Sequence, residues 1–129
     1  MGVASKEIVV SSESLVMDIQ KAFNLYYPFL KIEFADKTKK TLPFKNSKVN
    51  PDDQIGEIAE LMRPATINVE NEKTVSEVEK EFREILGLTI RMYRKSGNVW
   101  NVISVTDNWT LENQNKAGET ISIEMAAAS

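Results

Sequence analysis

The feature of this sequence that most constrains its fold is a similarity between its two halves. When Ile67 is aligned with Ile8, several identical residues coincide, and conservative pairs such as Asp18 with Glu77 join them. The identical pairs are Ile8/Ile67, Val10/Val69, Glu13/Glu72, Val16/Val75, Lys21/Lys80 and Phe23/Phe82. They lie at positions that a regular pattern would bury, so the sequence predicts one structural unit that occurs twice.

Each unit begins with a strand and an amphipathic helix. In the second unit Thr74 is a candidate N-cap, Glu77 completes a capping box, and Gly87 ends the helix. In the first unit the helix follows Ser12 or Ser14 and stops at Pro28. The apolar stripes that we expect to be buried are Val16, Ile19, Phe23 and Tyr26 in one unit, and Val75, Val78, Phe82 and Ile85 in the other.

After each helix the apolar period changes from that of a helix to that of a strand. Leu30, Ile32 and Phe34 alternate with polar residues, as do Leu88, Ile90 and Met92. A turn and a second strand follow, which predicts a hairpin in each unit. The remaining predicted elements are second strands at 41–44 and 99–105, short helices at 53–62 and 109–115, and strands at 65–70 and 120–125.

These patterns predict an α+β fold built from two β-α-β-β-α units, with a closing C-terminal strand at 120–125. The element order is related to that of ferredoxin-like folds. We expect residues 1–129 to form a single compact domain with pseudo-symmetric halves at about 6–64 and 65–125, as if a homodimer had been fused.

The composition excludes several kinds of chemistry. The chain contains no Cys and no His, so disulfides, thiolate nucleophiles and His-based triads are impossible. Its five glycines are scattered, and no phosphate-binding loop or dinucleotide fingerprint can be written. We therefore expect a non-enzymatic protein with no catalytic residue, no cofactor and no metal site.

Charge and targeting signals favour a cytoplasmic protein. The formal net charge of −3 gives no overall attraction for nucleic acid or anionic lipid. The N-terminus has no signal-peptide pattern, and no apolar run is long enough to span a membrane. We expect no membrane association, and the sequence does not distinguish a monomer from a homodimer.

Three aromatic residues are candidates for contact with a partner. Phe23, Phe82 and Tyr26 lie on helix stripes that we expect to be buried. Tyr27, Trp100 and Trp109 instead lie off or at the edge of these stripes, and tryptophan and tyrosine often dominate binding interfaces. The function expected from the sequence is a protein-binding or regulatory module that uses sheet edges or an aromatic surface.

Two other functions stay open at this point. A nucleic-acid-associated module could use a basic hairpin formed by Lys37, Lys39, Lys40, Lys45 and Lys48, to which Arg91, Arg94 and Lys95 correspond in the second half. Protection of an exposed strand edge explains these charges more simply. A carboxylate-based or metal-dependent hydrolase could use Asp52, Asp53 and Asp107, for which helix capping is the simpler interpretation.

One stretch resembles a motif of small bacterial proteins. The run TVSEVEKEFREILGLTIRMYRKSGNVW, followed by TDNWTLENQNKAG, is similar to a motif in which a capped helix leads through Gly-Leu into a strand. The resemblance covers residues 67–118 well and residues 8–60 poorly, where Pro28 replaces the glycine and no Trp matches Trp109. It implies an α+β fold and no assigned activity.

Overall fold

A computed structural model describes residues 6–35 and 49–128 of the chain. This part has an α+β fold with two antiparallel sheets and four helices, which confirms the predicted fold class. The elements in chain order are β1 (Glu7–Val10), α1 (Val16–Tyr26), β2 (Leu30–Ala35), α2 (Ile55–Ile58), β3 (Ala65–Asn68), α3 (Val75–Glu81), β4 (Thr89–Ser96), β5 (Val99–Val102) and α4 (Leu111–Ala128).

Both sheets join the two halves of the chain. β1 pairs with β3, and Ile8 lies opposite Ile67. β2 pairs with β4, with Glu33 opposite Arg91, and β4 also pairs with β5. The strand order of the larger sheet is therefore β2-β4-β5. The described strands lie in two separate sheets, and the ferredoxin-like relation stays a prediction.

The core lies between the sheets and the apolar faces of the helices. Alternate residues of each strand point inward, which explains why Ile32 and Met92 are buried while Lys31 and Tyr93 are not. The apolar stripes of the helices pack against these inward-facing strand residues. The rings of Phe34 and Phe82, for example, pack edge to face with their centres 5.6 Å apart. Both halves contribute, so the described residues form one hydrophobic cluster.

A pattern of four backbone hydrogen bonds occurs twice around the helix starts. Near α1 and α2 the bonds run from Val16 N to Asp53 O, Met17 N to Pro51 O, Ile55 N to Ser14 O and Gly56 N to Ser12 O. Near α3 and α4 they run from Val75 N to Trp109 O, Ser76 N to Asp107 O, Leu111 N to Lys73 O and Glu112 N to Asn71 O. Each pair of helix starts is therefore fixed by the same connections.

The helix that begins with α3 starts and ends where the sequence predicts, but its last turn differs from the prediction. Thr74 and Glu77 form the predicted capping box, and Gly87 ends the helix with a φ of 66°. Between them, Phe82–Leu86 form a π-helical turn. A π turn contains more residues than an α turn, so the buried stripe continues from Phe82 to Leu86. The predicted burial of Ile85 is wrong, and its side chain is 41% exposed.

The predicted C-terminal strand at 120–125 is wrong, because these residues belong to α4. The helix starts at Leu111 rather than Trp109 and runs to Ala128, well beyond the predicted end at Asn115. Its buried positions Leu111, Gln114 and Gly118 follow helical spacing, and Ser122 Oγ accepts a hydrogen bond from Gly97 N. The alternation of Ile121, Ile123 and Met125 does not reflect a sheet face, since Ile123 is 61% exposed.

Other boundaries differ by smaller amounts. The helix predicted at 53–62 is only Ile55–Ile58, because Ala59 adopts an extended conformation with a φ of −145°. β3 ends at Asn68 and β5 at Val102, earlier than predicted. The predicted strand at 41–44 and the lysines Lys37, Lys39, Lys40, Lys45 and Lys48 lie outside the described residues.

Candidate functional site

The strand at the end of the larger sheet, β5, forms a tight hairpin with β4. Gly97 has a φ of 67° in the two-residue turn, a conformation that strongly favours glycine and matches the first position of a type II′ turn. Lys95 pairs with Trp100, and Tyr93 with Val102, so these four side chains lie on the outer face, opposite the buried Met92. Arg94 and Asn101 pair on the inner face.

The free edge of β5 consists of the outward-facing backbone groups of Trp100 and Val102. Ile103 N donates to Met92 O at 2.9 Å, which fixes the hydrogen-bonding alternation of the β4–β5 ladder. Asn101 and Val99 therefore bond to β4, whereas the N–H and C=O groups of Trp100 and Val102 point away from the sheet. No hydrogen bond from another described residue reaches these four groups.

The opposite edge of the same sheet, on β2, is covered by side chains and by the returning chain. Asn24 Nδ2 donates to Leu30 O at 2.9 Å, and Gln20 Nε2 donates to Ile32 O at 3.0 Å. Val49 N donates to Phe34 O at 3.3 Å. Three successive outward carbonyls of β2 thus have partners, which blocks the approach of another strand.

The edges of the smaller sheet also carry side-chain partners. The Tyr26 hydroxyl lies 3.3 Å from Glu7 N, from which it accepts, and 3.0 Å from Glu7 O, to which it donates. On β3, Glu81 Oε1 accepts from Asn68 N at 2.9 Å. Among the four edge strands of the described residues, β5 therefore stands apart as the one whose outward backbone groups have no partner.

Trp100 is surrounded by cations on the outer face. Lys31 Nζ lies 4.9 Å from the centre of its ring, and Lys95 Nζ lies 5.9 Å from it. Lys31 also lies 5.5 Å from the Tyr93 ring. Burial raises the pKa of Tyr93 above its ordinary value and the Glu33 carboxylate adds to this effect, so the phenol stays neutral. The outer face therefore offers aromatic surface beside positive charge.

The three predicted aromatic candidates do not form one surface. Trp100 is half-buried on the outer face, while Trp109 is 42% exposed and lies next to Arg94 from the inner face. Tyr27 belongs to the core, because it is 2% exposed and its hydroxyl donates to Val69 O. Burial raises the pKa of Tyr27 well above its ordinary value. In this fold Tyr27 offers no surface to a partner.

The carboxylates of the described residues do not gather into a metal site, and a cavity lies beside β2. Asp53 Oδ2 accepts from Asn50 N at 3.1 Å in the turn before α2, whose N-cap is Gln54, so the predicted capping role of Asp53 is wrong. The described residues hold no group of three or more potential metal ligands among His, Cys, Asp and Glu. A cavity of about 590 Å³ lies between α1 and β2. It shares Lys31 and Trp100 with the outer face.

Comparison with protein-family models, curated proteins and solved structures finds no match to this chain. Within the part of the chain that the structure describes, no helix is both long and apolar enough to cross a bilayer. The site must therefore be interpreted from its own geometry. The sequence analysis named Trp100 and sheet edges in general, but it did not name Val102 or the edge of β5. The absence of charge in Val99–Val102 is the signal that could have pointed to this edge.

Proposed function

We propose that this protein is a binding module that accepts an extended segment of a protein partner as an additional strand on the free edge of β5. The observation that carries the proposal is the contrast between edges. The outward backbone groups of Trp100 and Val102 have no partner among the described residues, whereas each of the other edge strands has at least one group covered. The partner would be met in the cytoplasm, the compartment predicted from the sequence.

Strand addition matches the chemistry of this edge. Main-chain hydrogen bonds supply affinity in this mode of recognition, and alternate side chains supply specificity. Each of the four outward groups can take part in one bond, with a net contribution of about 0.5–1.5 kcal/mol per bond. Val102 is 43% exposed on the outer face and Val99 is 55% exposed on the inner face, so both faces of an added strand would find apolar contacts.

The sequence of β5 lacks the charges and the proline that often protect an edge strand from strand addition. Natural edge strands often carry lysine, proline or a bulge that discourages pairing with another chain. Val99, Trp100, Asn101 and Val102 include no charge and no proline. The short length of the strand limits the addition to a few residues, which favours reversible binding over aggregation.

Internal duplication is part of the proposal. The fourfold hydrogen-bond pattern at the helix starts recurs with equivalent donors and acceptors, and it supports two copies of one unit. The ladders support it as well, since Ile8 pairs with Ile67, its counterpart in the sequence alignment. A fused homodimer gives both features, because a twofold axis through an antiparallel ladder places one residue opposite its counterpart and pairs the flanking residues reciprocally.

The experiment compares two proline substitutions at outward-facing edge positions. A library of short extended peptides is selected on the immobilised full chain, and the bound peptides are titrated against Val102→Pro and Val9→Pro. Proline removes an outward N–H in each case without removing a bond within the sheet. We expect Val102→Pro to weaken binding by about tenfold or more, the equivalent of roughly 1.4 kcal/mol, and Val9→Pro on β1 to leave it unchanged.

Equal binding by the wild type and Val102→Pro, with both proteins folded, would contradict strand addition on β5. The alternative nucleic-acid function has its own outcome. If the chain binds RNA or DNA at physiological salt and the variant with Lys37, Lys39 and Lys40 changed to Gln does not, the basic segment predicted from the sequence is the functional one.

A further inference from the structure

On the inner face of the sheet, next to β5, the guanidinium group of Arg94 on β4 is held in a fixed position. Arg94 Nη1 donates to Gln114 Oε1 at 2.9 Å, and its guanidinium carbon lies 5.8 Å from the centre of the Trp109 ring. Gln114 is fully buried, and its Nε2 donates to Thr106 O at 2.7 Å and to Thr106 Oγ1 at 2.9 Å. Arg94 is thus oriented by a buried amide that is itself fully engaged.

No carboxylate balances this guanidinium in the described part of the chain. Arg94 takes part in no ion pair within 4.0 Å among the described residues. Arg94 has five N–H donors, of which the bond to Gln114 uses one. A partly buried cation with unused donors is therefore available to an anionic group.

A cavity connects Arg94 with the edge of β5. It has a volume of about 230 Å³, and Arg94, Asn101, Val102, Ser104 and Thr106 are among the residues that line it. Arg94 pairs with Asn101 across the β4–β5 ladder, so both side chains point to the inner face. In an added strand, the residue opposite Asn101 would continue the row that Arg94 and Asn101 form across the sheet. It would lie about two strand spacings, or roughly 10 Å, from Arg94. A long acidic side chain at that position can meet the arginine in the cavity.

We infer that the segment bound by β5 carries an acidic residue on its inner face, at the position opposite Asn101. Glutamate has the most suitable length, and its carboxylate binds the guanidinium of Arg94. The inference rests on the proposed strand addition and names the chemistry of the partner. Lys31 and Lys95 on the outer face add positive charge on the other side of the same strand. The occupant is an extended acidic peptide segment of another protein.

The test begins with the peptides selected on the immobilised full chain from a library randomised at every position. We expect the selected peptides to share an Asp or Glu at one position. Its replacement by Gln should weaken binding to the wild type by about tenfold or more, since a hydrogen bond between charged groups is about twice as strong as one between neutral groups. The same replacement should have little effect on binding to Arg94→Gln.

Arg91→Gln on the outer face is the control, and it should keep the preference for the acidic peptide. If Arg94→Gln does not fold, the Glu and Gln peptides are compared on Lys31→Gln and Lys95→Gln, which should keep the acidic preference. Its loss in these variants would assign the carboxylate to the outer face and overturn the role of Arg94. Peptides that bind with no acidic preference would overturn this inference and leave strand addition intact. The absence of any bound peptide would instead overturn the proposed function, and concentration-dependent self-association blocked by Val102→Pro would identify a second copy of the chain as the occupant.

Discussion

Lys95 and Trp100 lie opposite each other in the β4–β5 hairpin, and the Lys95 ammonium is 5.9 Å from the centre of the Trp100 ring. This pair fixes the face of the sheet on which the tryptophan side chain lies. The backbone of Trp100 is then directed to the free edge, because its neighbours Val99 and Asn101 bond to β4. One residue therefore combines an aromatic side chain on the outer face with unpaired backbone groups at the edge.

Phe23 and Phe82 should contribute equally to stability. Both side chains are completely buried, and the sequence alignment of the two halves makes them counterparts. Replacing either one with Ala should lower the free energy of unfolding by about 3–5 kcal/mol, as expected for large buried aromatics. Denaturant titration measures the loss, and Leu25→Ala, at a position that is 83% exposed, is the control. A loss at either phenylalanine as small as that of the control would contradict the alignment of the halves.

The capping box of α3 should make the free energy of unfolding depend on pH in the acidic range. Hydrogen bonds from the Thr74 backbone and the contact with its hydroxyl hold the pKa of Glu77 below its ordinary value. A lowered carboxyl pKa stabilises the fold above the unfolded pKa of about 4.3, and this contribution disappears as pH falls through the folded pKa. Glu77→Gln keeps an acceptor for Thr74 N but does not titrate. The unfolding curves of wild type and variant should differ at neutral pH and converge in acid, and a constant difference would be contrary to this account.

The sequence predicts well those features that local interactions determine. The capping box of Thr74 and Glu77 and the left-handed Gly87 depend on residues close in the chain, and each is found as expected. The strands β2 and β4 follow from strict alternation around Ile32 and Ile90, which bury the predicted face. Short-range patterns of this kind need little knowledge of the rest of the fold.

Features that depend on tertiary packing were missed. The π-helical turn at Phe82–Leu86 exchanges Ile85 for Leu86 in the core, and nothing in the local pattern favours one over the other. The last part of α4 shows a strand-like alternation, but Gly118 and Ser122 make helical contacts with the β4–β5 hairpin. The open edge of β5 is visible only once the side-chain partners of the other edges are known.

Gly118 should tolerate no side chain, although it lies inside a helix. A Cβ atom there would lie 2.9 Å from Phe29 Cβ and 3.0 Å from Lys95 O. Gly118→Ala should therefore destabilise the protein by about 1–3 kcal/mol, the usual cost of overpacking, whereas the same change in an exposed helix stabilises by roughly 1 kcal/mol. Thermal unfolding measures the sign, with Glu119→Ala as the neighbouring exposed control. A stabilised Gly118→Ala variant would show that α4 does not pack on β4 in this way.

The two halves should not fold separately. β1 pairs with β3 and β2 with β4, so division between residues 64 and 65 removes the ladders that join the halves. A half-length chain also buries too little apolar surface to be stable alone. Fragments 1–64 and 65–129 should be largely unfolded or self-associated, and circular dichroism should show recovery of native-like structure when they are mixed. A sharp, concentration-independent transition of either fragment as a monomer would indicate two independent domains.

Binding of a partner segment through the outward backbone groups of β5 should change the protection of individual amides. The most direct measurement is amide hydrogen exchange of the full chain, followed residue by residue with and without a selected peptide. We expect the N–H groups of Trp100 and Val102 to exchange fast in the free protein and to become protected in the complex, while those of Val99 and Asn101 are already protected by β4. A bound peptide that leaves the exchange of Trp100 and Val102 unchanged would contradict the account.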